Sequence, residues 1–127
     1  MKSENHKFKV KHAKDAEWKK GLREDFEYSD LGIREATGGQ FSAHVIRIAA
    51  SDADHHTGKH AHMTEFQMIS VLQGEARFWF DGKGEVSVSK DDCFYQPDSL
   101  MHDALWMSED CELLEITSPG DFETVKD

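Results

Sequence analysis

The stretch GKHAHMTEFQMISVLQG, residues 58–74, contains two histidines separated by one residue and followed by a short apolar run. Because successive side chains of a β-strand point to opposite faces, His60 and His62 point the same way if this stretch is extended. Two neutral imidazoles on one face form half of a metal site. Gln67 has the strand parity to face inward with the apolar side chains that follow it. The stretch therefore predicts strands that carry part of a metal site.

A third histidine, His102, lies far away in the sequence, directly after the proline-containing turn QPDSLMH. An adjacent strand could bring its imidazole to the same point as His60 and His62. A single pair of histidines is weak support for a metal site, because histidines also satisfy hydrogen bonds in a core or cluster on loops. Two separated histidine motifs together are more specific.

The rest of the chain from residue 41 onward also reads as short strands. Residues 75–80, EARFWF, alternate in polarity and end at Asp81-Gly82-Lys83-Gly84, which is a strong hairpin signal. About eight short segments of this kind follow one another with almost no helical periodicity. The pattern predicts an all-β barrel or sandwich.

Composition limits the classes of function. The 127 residues suit one domain, and the formal net charge of −10 disfavours nucleic acid and anionic membranes as partners. No apolar run approaches the length of a membrane span, and the first residues are too polar for a secretory signal. Cys93 and Cys111 lack CxxC spacing and are interpreted as reduced thiols. We therefore expect a cytoplasmic protein.

The first 36 residues differ in character from the strands. Residues 1–25 are charged, with isolated apolar anchors such as Trp18, and read either as an arm with a short helix near Lys14–Leu22 or as a solvated tail with one packed tryptophan. Residues 26–36 read as one or two outer strands with a turn at Asp30–Gly32.

The two histidine motifs resemble those of the cupin superfamily. The first cupin motif is a glycine, five residues, HxH, three or four residues, an acidic ligand, six residues and a glycine. Here the spacing fits His60, His62, Gln67 and Gly74, while Asp54 takes the place of the opening glycine. In the second motif, Pro97 and His102 are in frame, while Asp91, Ser99 and Trp106 replace two glycines and an asparagine.

The resemblance implies a single double-stranded β-helix, the jelly-roll or cupin barrel, over residues 41–118. Residues 1–40 are then an N-terminal arm with outer strands that pack on the barrel or on a partner subunit, and residues 119–127 are a C-terminal tail. The resemblance also implies a homodimer, and the arm is a candidate to cover the open sheet edge of the partner.

The resemblance further implies that His60, His62, Gln67 and His102 hold one divalent ion, which could be Mn, Fe, Ni or Zn. Glutamine stands where most cupins have an acidic ligand, and Glu65, which fits neither allowed spacing, is kept as a residue at the rim. Four neutral ligands leave the charge of the ion uncompensated, which favours a small anionic ligand such as a carboxylate. The alternative is a histidine cluster that binds no metal.

Candidates for a base or an anion clamp near the metal are Arg77, Tyr95, Glu115 and His44, and the sequence does not fix which of them face the barrel. An enzyme that acts on a small oxygenated or carboxylated metabolite is one hypothesis, either dioxygenase-like or a sugar-acid isomerase or ring-opening enzyme. A non-catalytic module that binds a small ligand or a metal is the second. A structural interaction barrel without metal is the third.

Overall fold

The computed structural model describes residues 6–20, 26–48 and 58–126. Short strands dominate these ranges, which also contain a 3₁₀ turn at Ala13–Asp15 and a single-turn helix. In chain order the elements are β1 Lys19–Lys20, β2 Phe26–Asp30, α1 Ile33–Ala36, β3 Ser42–Ile48, β4 His60–His62, β5 Phe66–Gln73, β6 Glu75–Phe80, β7 Gly84–Ser89, β8 Cys93–Tyr95, β9 His102–Met107, β10 Glu112–Ser118 and β11 Thr124–Lys126.

The strands form two antiparallel sheets. One sheet has six strands in the order β1-β2-β3-β10-β5-β8, and the other has five in the order β11-β4-β9-β6-β7. Strands that are far apart in sequence, such as β3 and β10 or β4 and β9, are neighbours in these sheets. The two sheets pack against each other, because one continuous apolar core contains side chains from both. The expectation of an all-β barrel is therefore confirmed.

The core follows the alternation of the strands. In β6, Ala76, Phe78 and Phe80 are buried, while the residues between them are exposed or half-buried. Val71 of β5 and Leu113 of β10 are each 1% exposed and meet this row from the other sheet. Because the side-chain period of a strand is two, the same alternation that fills the core also fixes which polar residues face inward.

The N-terminal region differs in part from the sequence expectations. Residues 26–36 form one strand, β2, and then the helix α1 rather than a second strand, because the left-handed backbone of Gly32 at φ +81° turns the chain and its N–H donates to Asp30 Oδ1. In the described part of the segment near Lys14–Leu22, a 3₁₀ turn and β1 stand in place of a helix. Trp18 is packed, with the guanidinium of Arg47 3.8 Å from its ring centroid.

The C-terminal segment is not a free tail. Residues Thr124–Lys126 form β11, which pairs with the whole of β4, and Gly120 N–H donates to the carbonyl oxygen of Gly39. Residues on both sides of the expected boundary at residue 119 therefore belong to the same five-stranded sheet. Backbone hydrogen bonding to the edge of β4 overrides the low apolar content of this segment.

Both cysteines are free thiols, with Cys93 exposed and Cys111 buried. Burial, assisted by Asp110 and Glu112, raises the pKa of Cys111 to about 12, so this thiol stays protonated at neutral pH. In the described ranges there is no helix long and apolar enough to cross a membrane.

The turn between β5 and β6 depends on a glycine. Gly74 has φ +80°, and a Cβ atom at this position would lie 2.7 Å from the Cα atom of Cys111. Gly82, in the turn after β6, has a nearly equal φ of +79°, but a Cβ atom there would meet nothing within 4 Å. The two glycines therefore share a backbone requirement, and only Gly74 has a steric one.

We expect Gly82→Ala to lower the free energy of unfolding by about 1–2 kcal/mol, which is the cost of a left-handed L-residue. Gly74→Ala should cost about 1–3 kcal/mol more, because backbone atoms of Cys111 cannot yield easily. Urea unfolding of the two variants measures the difference. Equal losses at the two sites would contradict the assigned close approach of Gly74 to Cys111.

Candidate metal centre

Three histidines meet at one point on the five-stranded sheet. His60 and His62 lie on the same face of β4, and His60 is directly opposite His102, the first residue of β9. Their ring centroids are 4.3–5.0 Å apart, and one ligand atom from each residue lies within 4.8 Å of the others. His102 is buried, and the other two are half-buried, so one side of the cluster is open.

An oxygen atom lies within hydrogen-bond distance of Nδ1 in each histidine. Nδ1 of His60 lies 2.7 Å from the carbonyl oxygen of Gly58, and Nδ1 of His102 lies 3.0 Å from that of Leu100. Because a carbonyl only accepts, both Nδ1 atoms carry the proton and leave Nε2 unprotonated, with a lone pair that can bind a metal. Nδ1 of His62 lies 3.0 Å from the hydroxyl of Thr124. Carbonyl and hydroxyl partners of this kind orient metal-binding histidines.

Burial favours the neutral form of two imidazoles of the cluster, those of His62 and His102. Burial, with the neighbouring His102 and His60, lowers the pKa of His62 to about 4. Burial also lowers the pKa of His102 below its ordinary value. Neutral imidazoles are the form that binds a metal, so at neutral pH protons do not compete for these atoms. The residues present therefore fit a divalent ion.

Gln67 lies on the opposing six-stranded sheet, where it is 1% exposed. Its Nε2 atom donates to Oε2 of Glu115 at 2.7 Å, and Oε1 of Glu115 lies 2.7 Å from Nε2 of His44. Burial opposes ionisation of Glu115, but these contacts with His44 and Gln67 together lower its pKa below the ordinary value. Two of the sequence candidates, Glu115 and His44, are thus joined to the predicted ligand Gln67.

A carboxamide that the sequence interpretation did not single out, that of Gln96, reaches the cluster. Gln96 is 2% exposed, and its Nε2 atom lies 3.4 Å from Nε2 of His102. Its Oε1 atom is buried and has no hydrogen-bond partner among the described residues. Its backbone N–H donates to the carbonyl oxygen of Gln67. The position of Gln96 directly before Pro97 of the second motif is the signal that could have identified it.

A family model for the cupin domain matches residues 50–117, which is more than half of the chain. The chain belongs to the cupin family. No curated protein sequence matches this cupin at a significant level.

Solved structures share the fold. KdgF from a Halomonas species is 19% identical with a TM-score of 0.71, and the match covers 87% of this cupin and 94% of that chain. The polyketide cyclase RemF from Streptomyces resistomycificus is 14% identical with a TM-score of 0.76, covering 94% and 84%. An RmlC-like cupin from Shewanella frigidimarina is 19% identical with a TM-score of 0.70, covering 91% and 94%. At these identities the likeness concerns the fold.

Two residues of the second motif that replace glycines have left-handed backbone conformations. Asp91 and Ser99 stand at the two glycine positions and have φ values of 76° and 64°. These are the left-handed conformations that glycine adopts without cost, and aspartate tolerates them better than most residues. Asp54, the replacement in the first motif, lies outside the described residues, as do His55 and His56.

Two of the four flanking candidates, Arg77 and Tyr95, lie at exposed positions. Arg77 is on the outer face of β6, where its guanidinium lies 3.6 Å from Glu85 and 5.7 Å from the ring of Trp106. Tyr95 is 54% exposed at β8 and packs against the ring of Phe66. The reason is the alternation of β6: Phe78 and Phe80 fill the core, so Arg77 faces solvent. Glu65 is exposed.

The C-terminal segment supplies a wall of the cluster. The ring of Phe122 packs edge-on against that of His62 at a centroid distance of 5.2 Å, and the Thr124 hydroxyl contacts Nδ1 of the same histidine. An ion pair between Arg34 of α1 and Asp121 fastens the segment to the rest of the barrel. The residues after 118 thus orient one of the three histidines.

We expect Thr124→Val to weaken metal binding about 10–100-fold, the usual effect of losing a residue that orients a metal ligand. Valine keeps the size of the side chain but removes the oxygen that contacts Nδ1 of His62. Titration of metal-free protein with Ni²⁺ measures the change. Val125→Ala is the control on the same strand, and an equal effect of both variants would contradict a specific role of the hydroxyl.

We expect the metal-free protein to lose stability as the pH falls from 6.5 towards about 4. His62 has an ordinary pKa of 6.5, which its unfolded form keeps, and a folded pKa of about 4. In this window the unfolded chain binds a proton that the folded chain does not, so acid favours unfolding. Urea unfolding at several pH values measures the slope, which His62→Gln should reduce and His12→Gln, at an exposed site, should not.

Proposed function

We propose that this cupin is a metal-dependent enzyme that acts on a small oxygenated or carboxylated metabolite. The observation that carries the proposal is the convergence of three histidines, at least two of which have Nδ1 protonated towards a backbone carbonyl and Nε2 unprotonated. A cluster whose only purpose was core packing would not need matched orienting partners for each ring. His60, His62 and His102 hold the ion, and Gln67 is the fourth ligand.

The proposed ligands leave a charge that favours an anion. Neutral imidazoles and one amide do not compensate a divalent ion, which when bound would polarise a carbonyl or carboxylate oxygen. Glu115 is not one of the proposed ligands, but its carboxylate contacts the ligand Gln67 at 2.7 Å. The apolar rings of Phe80, at 6.3 Å from His102, and Phe122 limit water around the histidines. A small carboxylate or enolate suits such a site.

A cavity of about 360 Å³ is lined by His44 and by residues of the N-terminal region, and none of the proposed metal ligands lines it. Three lysines of the N-terminal region line it, but Glu17, Asp30 and Glu35 line it as well. Because these charges are nearly balanced, the preference for an anion comes from the metal rather than from this cavity. Nε2 of His44 is held by buried Glu115, which makes His44 the best-placed described residue to exchange a proton with a bound molecule.

A non-catalytic module that binds a small ligand is the second candidate. The placement of Arg77 and Tyr95 away from the histidines favours it, because two groups expected to serve as base or clamp are thereby removed from the site. Turnover separates the two candidates. A ligand that raises the melting temperature without yielding any product would favour the module.

We expect protein purified without added metal or affinity tag to contain about one divalent ion per chain, and His60→Ala to lower Ni²⁺ affinity more than about 100-fold. Elemental analysis and calorimetric titration provide the two measurements. His12→Ala, in the exposed arm, is the control. Wild-type protein that binds none of Mn²⁺, Fe²⁺, Ni²⁺ or Zn²⁺ would refute the proposal.

The reaction type is tested with an unsaturated uronate as substrate, in air and under nitrogen. Equal turnover in both atmospheres indicates redox-neutral isomerisation or ring opening, since no oxidant is consumed. Turnover only in air, with oxygen uptake matching product, indicates a dioxygenase. His44→Gln should slow turnover without loss of the bound ion if His44 exchanges a proton with the substrate.

A further inference from the structure

Three polar side chains form a continuous row across the inner face of the six-stranded sheet. His44 lies on β3, Glu115 on β10 and Gln67 on β5, and these strands are neighbours. The two contacts that join them are both 2.7 Å long. Glu115 is 9% exposed and Gln67 is 1% exposed, so these two members of the row are shielded from water.

The sheet register builds this row. Glu115 is directly opposite His44, while Thr117, two residues further along β10, is opposite Gln67. Paired residues of antiparallel strands share a face, and diagonal neighbours remain within reach of long side chains. The strand pairing alone therefore places Glu115 between His44 and Gln67, whether or not a ligand is bound in the barrel.

A carboxylate can only accept hydrogen bonds, and this property fixes the orientation of the neighbouring amide. Because Glu115 accepts from Nε2 of Gln67, the carbonyl oxygen is the one polar atom of that carboxamide left for a metal. The reverse orientation would present an NH₂ group, which has no lone pair to give. The contact of His44 with the second oxygen of Glu115 holds the carboxylate in place.

We propose that Glu115 is a positioning residue that turns the Gln67 carboxamide so that its oxygen serves as the fourth metal ligand. This inference rests on the proposed function, since it concerns a ligand of the same ion. In this cupin the acidic group has moved from the ligand position to the adjacent strand. The glutamine at position 67 and the glutamate at position 115 thus form a matched pair.

The matched pair has a consequence for substitutions. Gln67→Glu alone gives the chain the usual ligand of the family but places two carboxylates within hydrogen-bond distance of each other, where like charges repel. Glu115→Gln alone lets either end of the second amide face Gln67, so the orientation is lost. The double variant, Gln67→Glu with Glu115→Gln, restores one acceptor and one donor.

The test is a titration of tag-free, metal-free protein with Ni²⁺. We expect each single variant to bind about 10–100-fold more weakly than the wild type, as for other residues that orient ligands. The double variant should bind at least tenfold more tightly than either single variant, which is a coupling that independent effects cannot produce. Glu112→Gln, on the opposite face of the same strand, is the matched control, and thermal melting verifies folding of all variants.

Side-chain amide resonances of the metal-free protein give a second readout that does not depend on the ion. One N–H proton of Gln67 should exchange slowly and lie downfield in the wild type, and should lose both properties in Glu115→Gln. Additive effects of the two substitutions on Ni²⁺ affinity, or a Glu115→Gln variant indistinguishable from Glu112→Gln, would overturn the inference. Wild type that binds no metal but keeps the protected proton would overturn it together with the proposed function, leaving a structural hydrogen bond.

Discussion

The pairing of β4 with β9 is the constraint on which the site depends. It sets His60 directly opposite His102, and the period of two in β4 then brings His62 to the same face. Strand β4 has only three residues, so it cannot hold itself in place and relies on β9 at one edge and β11 at the other. A slip of one residue in this register would turn the histidines of β4 away from the interior.

The barrel divides the chemistry between its two sheets. The five-stranded sheet provides the three imidazoles, and the six-stranded sheet provides Gln67 with the row of Glu115 and His44 behind it. Packing of the sheets along the apolar core fixes the separation of these two sets. Polar groups that are costly to bury are thus satisfied within one sheet first, and the atoms that we propose as metal ligands are those left over.

The sequence was sufficient to predict the all-β fold, the common face of His60 and His62, and the buried position of Gln67, because these follow from strand alternation. It was not sufficient to choose the inward face of β6, since Arg77 and Trp79 alternate with Phe78 and Phe80 and each pair contains an aromatic ring. The contact between Glu115 and Gln67 depends on the pairing of β10 with β5, which is non-local.

The role of the C-terminal segment was also beyond a sequence reading. Residues 119–126 contain few apolar side chains, and only their hydrogen bonds to the edge of β4 identify Thr124–Lys126 as a strand. The wall that Phe122 and Thr124 add to the histidine cluster follows from that pairing rather than from any local pattern.

The late position of β11 in the chain has a consequence for how the protein folds during synthesis. Thr124 follows His62 by 62 residues, so a nascent chain that has already released all three histidines from the ribosome still lacks the hydroxyl that orients one of them. Until β11 docks, β4 has an open edge and the ring of His62 is free to rotate. Capture of the proposed ion in its final geometry would therefore be a late event of biosynthesis, which follows closure of the barrel rather than guiding it.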